Sequence, residues 1–417
     1  MEQRRRVRRV HRSVSSFSIS TILSLSLSLS LLPFLCNTEC SRNTAISMGR
    51  EEETMEDHCL PKSSMAGGGL IVGNYCHDVL FRDGVVVGEG LGGAASFLSN
   101  VLDPLSSNPS LYISKVGPDF SYSVSHAPIT STSSQTTLFH AHFPSTPGGG
   151  YHGDRVLHCI RTCEPILPSD IPSYKFEFGL AAGVAGEILP ETLARMLDLC
   201  RVMFVDVQGL IRIFDSEDGA VGLIPLRSTA FVELIPRIGF LKASAEEAPF
   251  LDLEELRKVC CVIVTEGKNG CSVYWNDGEV NVAAFPAVQI DPTGAGDSFL
   301  GGFVVGLSWG LAVPDAALLG NFFGALTVGQ IGIPKFELSL LKAVRQELER
   351  RGTQYSEHCQ RKLSVSYQKS VSHKDFQEFL FRAAELYGSC SSDGTRESIH
   401  IGDNGLCELY DGHSKIL

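Results

Sequence analysis

The chain has 417 residues, 35 Lys+Arg against 47 Asp+Glu for a formal charge of −12, and 43% apolar against 20% charged residues. That balance excludes a wholly disordered chain, and the length allows one large α/β domain with extensions or two to three domains of about 150 residues. An acidic chain with no long basic run in its body argues against nucleic acid as main partner, so any phosphate must be held by local backbone donors or a metal.

The N-terminal segment, 1–64, stands apart. Arg4, Arg5, Arg6, Arg8, Arg9 and Arg12 precede the uncharged Ser13 to Thr38, in which serine and leucine alternate. This pattern fits a signal peptide or anchor, a transit peptide, or a leader lost if translation begins at Met48, Met55 or Met65. A spanning helix needs about 20 mostly apolar residues, and nine of the 26 residues from Ser13 to Thr38 are serine. The 13 cysteines lack zinc-ligand spacing, and no permitted Asn-x-Ser/Thr acceptor occurs. They read as free or buried thiols in a reducing compartment. A cytoplasmic location follows, with plastid or secretory targeting as alternatives if the extension is real.

The folded unit is expected over 65–350. Leu70-Ile71-Val72 predicts a first buried strand, followed by Gly73-Asn74. Between 120 and 166 the pattern turns Thr/Ser/His-rich, with Gly148-Gly149-Gly150 and then Asp154-Arg155. That segment reads as a flap of short strands or as a long surface loop. His140, His142, His152 and His158 read as solvated loop residues before a metal site, and Asp154 and Arg155 as candidates to touch substrate.

A helix opened by Pro190 precedes a strand at Val202 to Val207. Ile238 to Leu241 and Val262 to Thr265 predict two more, with a helix over Asp252 to Val259 between them. Asn276-Asp277-Gly278 marks a hairpin. A strand at Ala287 to Ile290 and two helices from Asp297 and Pro314 complete the pattern. The βαβα rhythm with continuous apolar strands predicts a doubly wound, mostly parallel sheet, whose ligands bind beyond the strands' carboxyl ends. After about Arg351 a polar tail is expected, largely disordered, with one amphipathic stretch carrying Phe376, Phe379, Leu380, Ala383 and Tyr387.

The string Asp291-Pro292-Thr293-Gly294-Ala295-Gly296-Asp297-Ser298-Phe299 carries the chemistry. Two glycines at a helix start let successive N–H groups turn inward as an anion cradle. Asp297 in its mouth reads either as a helix N-cap or as a general base.

This string resembles the second signature of the ribokinase-like (PfkB) carbohydrate kinases. Gly73-Asn74-Tyr75-Cys76-His77-Asp78, Leu91-Gly92-Gly93-Ala94-Ala95, Lys115-Val116-Gly117-Pro118-Asp119, Asp206 to Arg212 and Thr265 to Gly270 resemble further family elements in the same order. Leu70 to Lys335 is covered. Within the family, Gly73 to Leu80, Leu91 to Phe97, Arg237 to Ser244 and Asp291 to Gly302 together are most similar to the kinases that act on myo-inositol.

The resemblance implies a ribokinase-like fold with a small β lid. It implies transfer of phosphate from ATP, with Mg²⁺, to a polyol hydroxyl. Asp297 would be the base and Gly294, Ala295 and Gly296 the anion hole. Asn74, Asp78, Gly92, Gly93 and Asn100 would meet the substrate. Ser244, Thr265, Gly267, Gly270 and Asn321 would line the nucleotide, although Asn321 reads nearly as well as a packed helix residue. Glu247 would serve the metal, with Ser244 standing where the family often has Asn. The partners are then myo-inositol and ATP, without nucleic acid, and without a membrane unless the N-terminal segment is an anchor. A sugar or nucleoside kinase of the same family, or a catalytically silent binding protein, are the rival readings.

Overall fold

The structure is a computed structural model that describes residues 65–143, 155–358 and 365–387. The expectations for 1–64, Gly148 to Gly150, His152, Asp154 and 388–417 lie outside the described residues.

In chain order the elements begin with strands β1 (Met65–Val72), β2 (Cys76–Arg82) and β3 (Val85–Gly92), then helix α1 (Ala94–Leu105). Strands β4 (Leu111–Ile113), β5 (Lys115–Val116), β6 (Ile129–Thr130), β7 (Leu138–Phe143), β8 (Val156–Arg161) and β9 (Lys175–Ala181) follow. Next come α2 (Pro190–Leu199), β10 (Cys200–Asp206), α3 (Gln208–Ile211), β11 (Arg212–Phe214), β12 (Val221–Leu223), β13 (Phe240–Ser244) and α4 (Leu253–Leu256). The chain then forms β14 (Cys261–Thr265), β15 (Cys271–Trp275), β16 (Gly278–Val282), α5 (Ala295–Ser308), α6 (Val313–Val328), α7 (Leu338–His358) and α8 (His373–Tyr387).

Eight strands make the main sheet in the order β16-β15-β14-β13-β10-β9-β1-β4, parallel from β14 to β4 and antiparallel at the β14-β15-β16 end. Both faces are covered, which explains the unbroken apolar strands. One face packs on α1, α5 and α6 through Leu98, Phe303 and Phe323. The other packs on α2 and the short helices through Leu193, Met196 and Ile235.

A second sheet, β3-β2-β7-β8, forms the lid. Half of its strands come from Cys76 to Gly92, outside the expected 120–166 span. The signal was present: Asp83 (φ 53°) and Gly84 (φ 77°) make the left-handed pair that a two-residue hairpin demands. Asp78 pairs with Phe139, so Asp78, Phe139 and Ala141 share one face while His140, His142 and His158 share the other. The histidines therefore sit on strands, not in a loop, and the His142 ring stacks on Phe81 with centroids 4.6 Å apart.

Three further expectations are corrected. Residues 287–290 are not a strand; Ile290 and Asp291 donate their N–H groups to the Val328 carbonyl as the chain runs back along α6. The helix expected over Asp252 to Val259 is a single turn. The boundary at 350 falls inside α7, and α8 is part of the core, with Phe376, Leu380 and Ala383 buried against it. The apolar face read in the sequence is the one α8 buries, so this part of the expected disordered tail is folded. Seven cysteines among the described residues are free thiols. Among the described residues no helix is long and apolar enough to cross a membrane.

Candidate active site

The site gathers where parallel strands end. After β1 the chain turns at Gly73, whose Cβ would meet the Ala182 carbonyl oxygen at 2.5 Å. Asn74 is buried: its N–H donates to Glu187 Oε1 (3.1 Å), and its Oδ1 accepts from the Lys115 N–H (2.7 Å). Its Nδ2 has no protein partner. Glu187 also accepts from the Val184 and Ala185 N–H groups, so one buried carboxylate ties the ends of β1 and β9 together.

Asp78 projects from β2 on the buried side of the lid. Burial pushes its carboxyl up to about 7, with Arg155 pulling it down and Asp291 pushing it further up. Gly92 lies against it so closely that a Cβ would stand 1.9 Å from Asp78 Oδ2. Gly93, at φ 85°, starts α1 with room for no side chain, because a Cβ would meet Asn74 O at 2.3 Å. These four residues form one corner. Asn100 does not join them: its Nδ2 donates to the Pro334 carbonyl (2.6 Å), tying α1 to the loop beyond α6.

The second corner is the start of α5. Asp291 is buried and holds the loop by accepting from the N–H groups of Thr293 (2.9 Å) and Gly332 (3.2 Å). Gly294, at φ 75°, is the N-cap, pressed on the Phe97 ring. The first-turn N–H groups of Gly296 and Asp297 thus have no acceptor one turn earlier within the helix, the arrangement that binds anions. The Ala295 N–H is partly committed, at 3.3 Å from the Pro292 carbonyl.

Asp297 is therefore not the N-cap. Its carboxyl is pushed up to about 7 by burial and by Asp206, against the pull of Lys242, Arg212 and Arg155, and its Oδ1 is buried without a protein partner. A carboxyl poised near neutral pH with a free oxygen suits a base.

Lys242 was given no role from the sequence, and Asp206 and Arg212 stood only as the ends of a string that resembles a family element. Lys242 rises from buried β13 to place its Nζ 3.0 Å from Asp206 Oδ2 and 2.7 Å from where a Cβ on Gly296 would stand. Burial works against its charge, but Asp206, Glu247 and Asp297 outweigh it and hold the ammonium charged. Asp206 is pushed up by burial, with Lys242 opposing. Glu247 accepts from the Ser244 N–H (2.8 Å), while Ser244 Oγ accepts from the Glu247 N–H (3.2 Å). Serine thus closes this turn where the family often has asparagine. Among the described residues no group of three His, Cys, Asp or Glu side chains could hold a metal alone. Mg²⁺ usually takes one or two carboxylates and keeps waters and phosphate oxygens, and Glu247 beside Asp206 offers carboxylates of that kind.

The lid reaches this corner through Arg155, whose Nη1 donates to Thr293 Oγ1 (2.7 Å). It draws down the carboxyls of both Asp78 and Asp297, so one guanidinium acts on the two corners. On the far side, Thr265 Oγ1 donates to the Ala243 carbonyl (3.3 Å), and Gly267 (φ 55°) and Gly270 (φ 90°) shape the turn after β14. Asn321 spends both donors on the Val282 and Ala283 carbonyls (3.0 Å each), so its amide is packed into the fold.

A parallel sheet ending in an anion cradle, a carboxylate with an unpartnered oxygen and a β lid defines a small-molecule phosphotransferase. The model of the pfkB family carbohydrate kinases matches residues 232–335. Inositol 3-kinase of Zea mays is 52% identical over 331 residues, covering 76% of this chain and 87% of that protein. Inositol 3-kinase of Arabidopsis thaliana is 54% identical over 311 residues, covering 75% and 86%. The chain belongs to the pfkB family of carbohydrate kinases. Among solved structures, a pyrophosphate-dependent kinase of the ribokinase family, complexed with a pyrophosphate analog and myo-inositol, superposes with TM-score 0.53 at 17% identity, covering 68% of this chain and 99% of that one. Adenosine kinase from Sinorhizobium meliloti gives 0.52 at 20% identity, covering 67% and 99%. These two establish the shared ribokinase-like fold.

Proposed function

We propose that this protein transfers the γ-phosphoryl group of ATP to a hydroxyl of myo-inositol, giving inositol 3-phosphate. The observation that carries the chemistry is Asp297: a carboxyl near neutral pKa, with an unpartnered oxygen, in the first turn of a helix whose leading N–H groups lack an intrahelical acceptor. The substrate rests on relatives more than 50% identical that bear the name inositol 3-kinase.

In this reading Asp78 and Asn74 Nδ2 bind substrate hydroxyls, with the Gly92-Gly93 turn admitting a ring close to the backbone. Asp297 accepts the proton of the attacking hydroxyl. The cradle at Gly294 to Asp297 and the Lys242 ammonium meet the charge that develops on the transferring group. Mg²⁺, held through Glu247 and waters, would neutralise phosphate charge when bound. Arg155 fastens the lid over Thr293 and excludes water from both corners.

A phosphorylation panel of myo-inositol, ribose, fructose and adenosine, run with ATP on the full chain, tests the assignment. The expected result is a kcat/KM for myo-inositol at least tenfold above the others. Preference for a sugar or nucleoside would move the substrate while leaving the kinase. No turnover with any of them would point to a binding protein.

A further inference from the structure

Helix α8 lies beyond the segment that resembles the family, yet it packs beside the nucleotide side of the site. Polar contacts hold its first turn. His373 Nδ1 pairs with buried Asp315 Oδ1 of α6, and Arg351 of α7 donates to Ser372 Oγ (2.9 Å) and to Glu347 Oε1 (2.7 Å) while lying 4.5 Å over the Phe376 ring. The following turns reach a cavity of about 200 Å³. Phe285 and Pro286 form one wall, Phe322, Ala325 and Leu326 of α6 a second, and Phe381, Ala384 and Glu385 of α8 the third. Phe285 and Phe381 meet with ring centroids 4.7 Å apart.

The cavity continues the nucleotide face. Gly270 backs directly onto Val282 to Ala284, since a Cβ there would stand 2.1 Å from the Val282 carbonyl oxygen. Asn321 fastens α6 to that same backbone. The residues that follow in these two segments, Phe285 after Ala284 and Phe322 after Asn321, are cavity walls. At about 200 Å³ it is smaller than the roughly 300–1,000 Å³ of a whole ligand site, so it suits one part of a ligand. Its walls are apolar and aromatic, and among the described residues its one ionisable lining residue is the acidic Glu385, which repels phosphate. A flat, uncharged ring fits this chemistry; a triphosphate or a polyol does not.

We propose that α8 completes the pocket for the purine base of the nucleotide, with Phe381 and Ala384 packing against the ring. This rests on the ATP-dependent reading above. The test is steady-state kinetics of the full chain with ATP varied at saturating myo-inositol, comparing wild type with Phe381→Ala and Ala384→Trp. Loss of one aromatic contact to a base raises the KM for ATP about tenfold. Ala384→Trp, which fills the cavity and removes no core contact, should raise it at least as much, with the KM for myo-inositol unmoved in both. If Phe381→Ala does not fold, Ala384→Trp decides alone. An unchanged KM for ATP in Ala384→Trp, or in a folded Phe381→Ala, overturns the role of α8. Absence of ATP-dependent turnover in the wild type would instead remove the functional reading on which it rests.

Discussion

The two corners of the site are built by opposite means. Around the start of α5, charge is concentrated: Lys242 faces buried Asp206 and Glu247 and half-buried Asp297 at the ends of fully covered parallel strands. Around Asp78 charge is sparser and shape decides: Gly92 and Gly93 place no side chain beside the carboxylate, and the lid strands carry it. The first arrangement suits a reaction step common to many acceptors. The second can change its acceptor by altering small residues on a sheet that carries little of the core. Arg155 is the link, since it spans from the lid to Thr293 and acts on Asp78 and Asp297 together.

The largest expected effect breaks the charged corner. Lys242→Met leaves Asp206, Glu247 and Asp297 without their shared cation, and removing one partner of a buried pair costs about 3–5 kcal/mol. Chemical denaturation should show that loss, accompanied by weakened ATP binding. Gly92→Ala breaks the other corner: the Asp78 carboxylate must move to admit a Cβ 1.9 Å away. Misplacement on that scale is worth about 100-fold, so kcat/KM for myo-inositol should fall by about that factor while ATP affinity holds. Arg155→Gln should be milder. A charge-assisted bond of the lid to Thr293 is lost, and kcat/KM for myo-inositol should drop about tenfold, read from initial rates at low substrate.

The legible part of the molecule was its periodic part. Apolar strands such as Val262 to Thr265 and the hairpin at Asn276-Asp277-Gly278 declare themselves because sheets buried on both faces tolerate little else. Asp297 and its glycines stand in one nine-residue string, so spacing alone brought them together. The roles of Lys242, Asp206, Glu187 and Arg212 were hidden for the same reason the strands were visible. Each is a single charge in or beside an apolar run, and only the pairing of distant strands reveals its partner. Asn100 was misplaced because helix register, not sequence proximity to Gly93, decides which way α1 presents it. The contribution of α8 was obscured by the polar stretch between α7 and it, although its apolar face was readable.

Asp297→Asn tests the central assignment most directly, with turnover of ATP and myo-inositol measured across pH and ATP binding followed by calorimetry. The wild-type carboxyl, pushed up to about 7, must be ionised to accept a proton, so kcat should climb from pH 6 to pH 8. The variant should bind ATP normally and lose about 10²–10⁴ in kcat. Near-wild-type turnover in a variant that binds ATP would contradict the account, because the hydroxyl would then be giving its proton elsewhere.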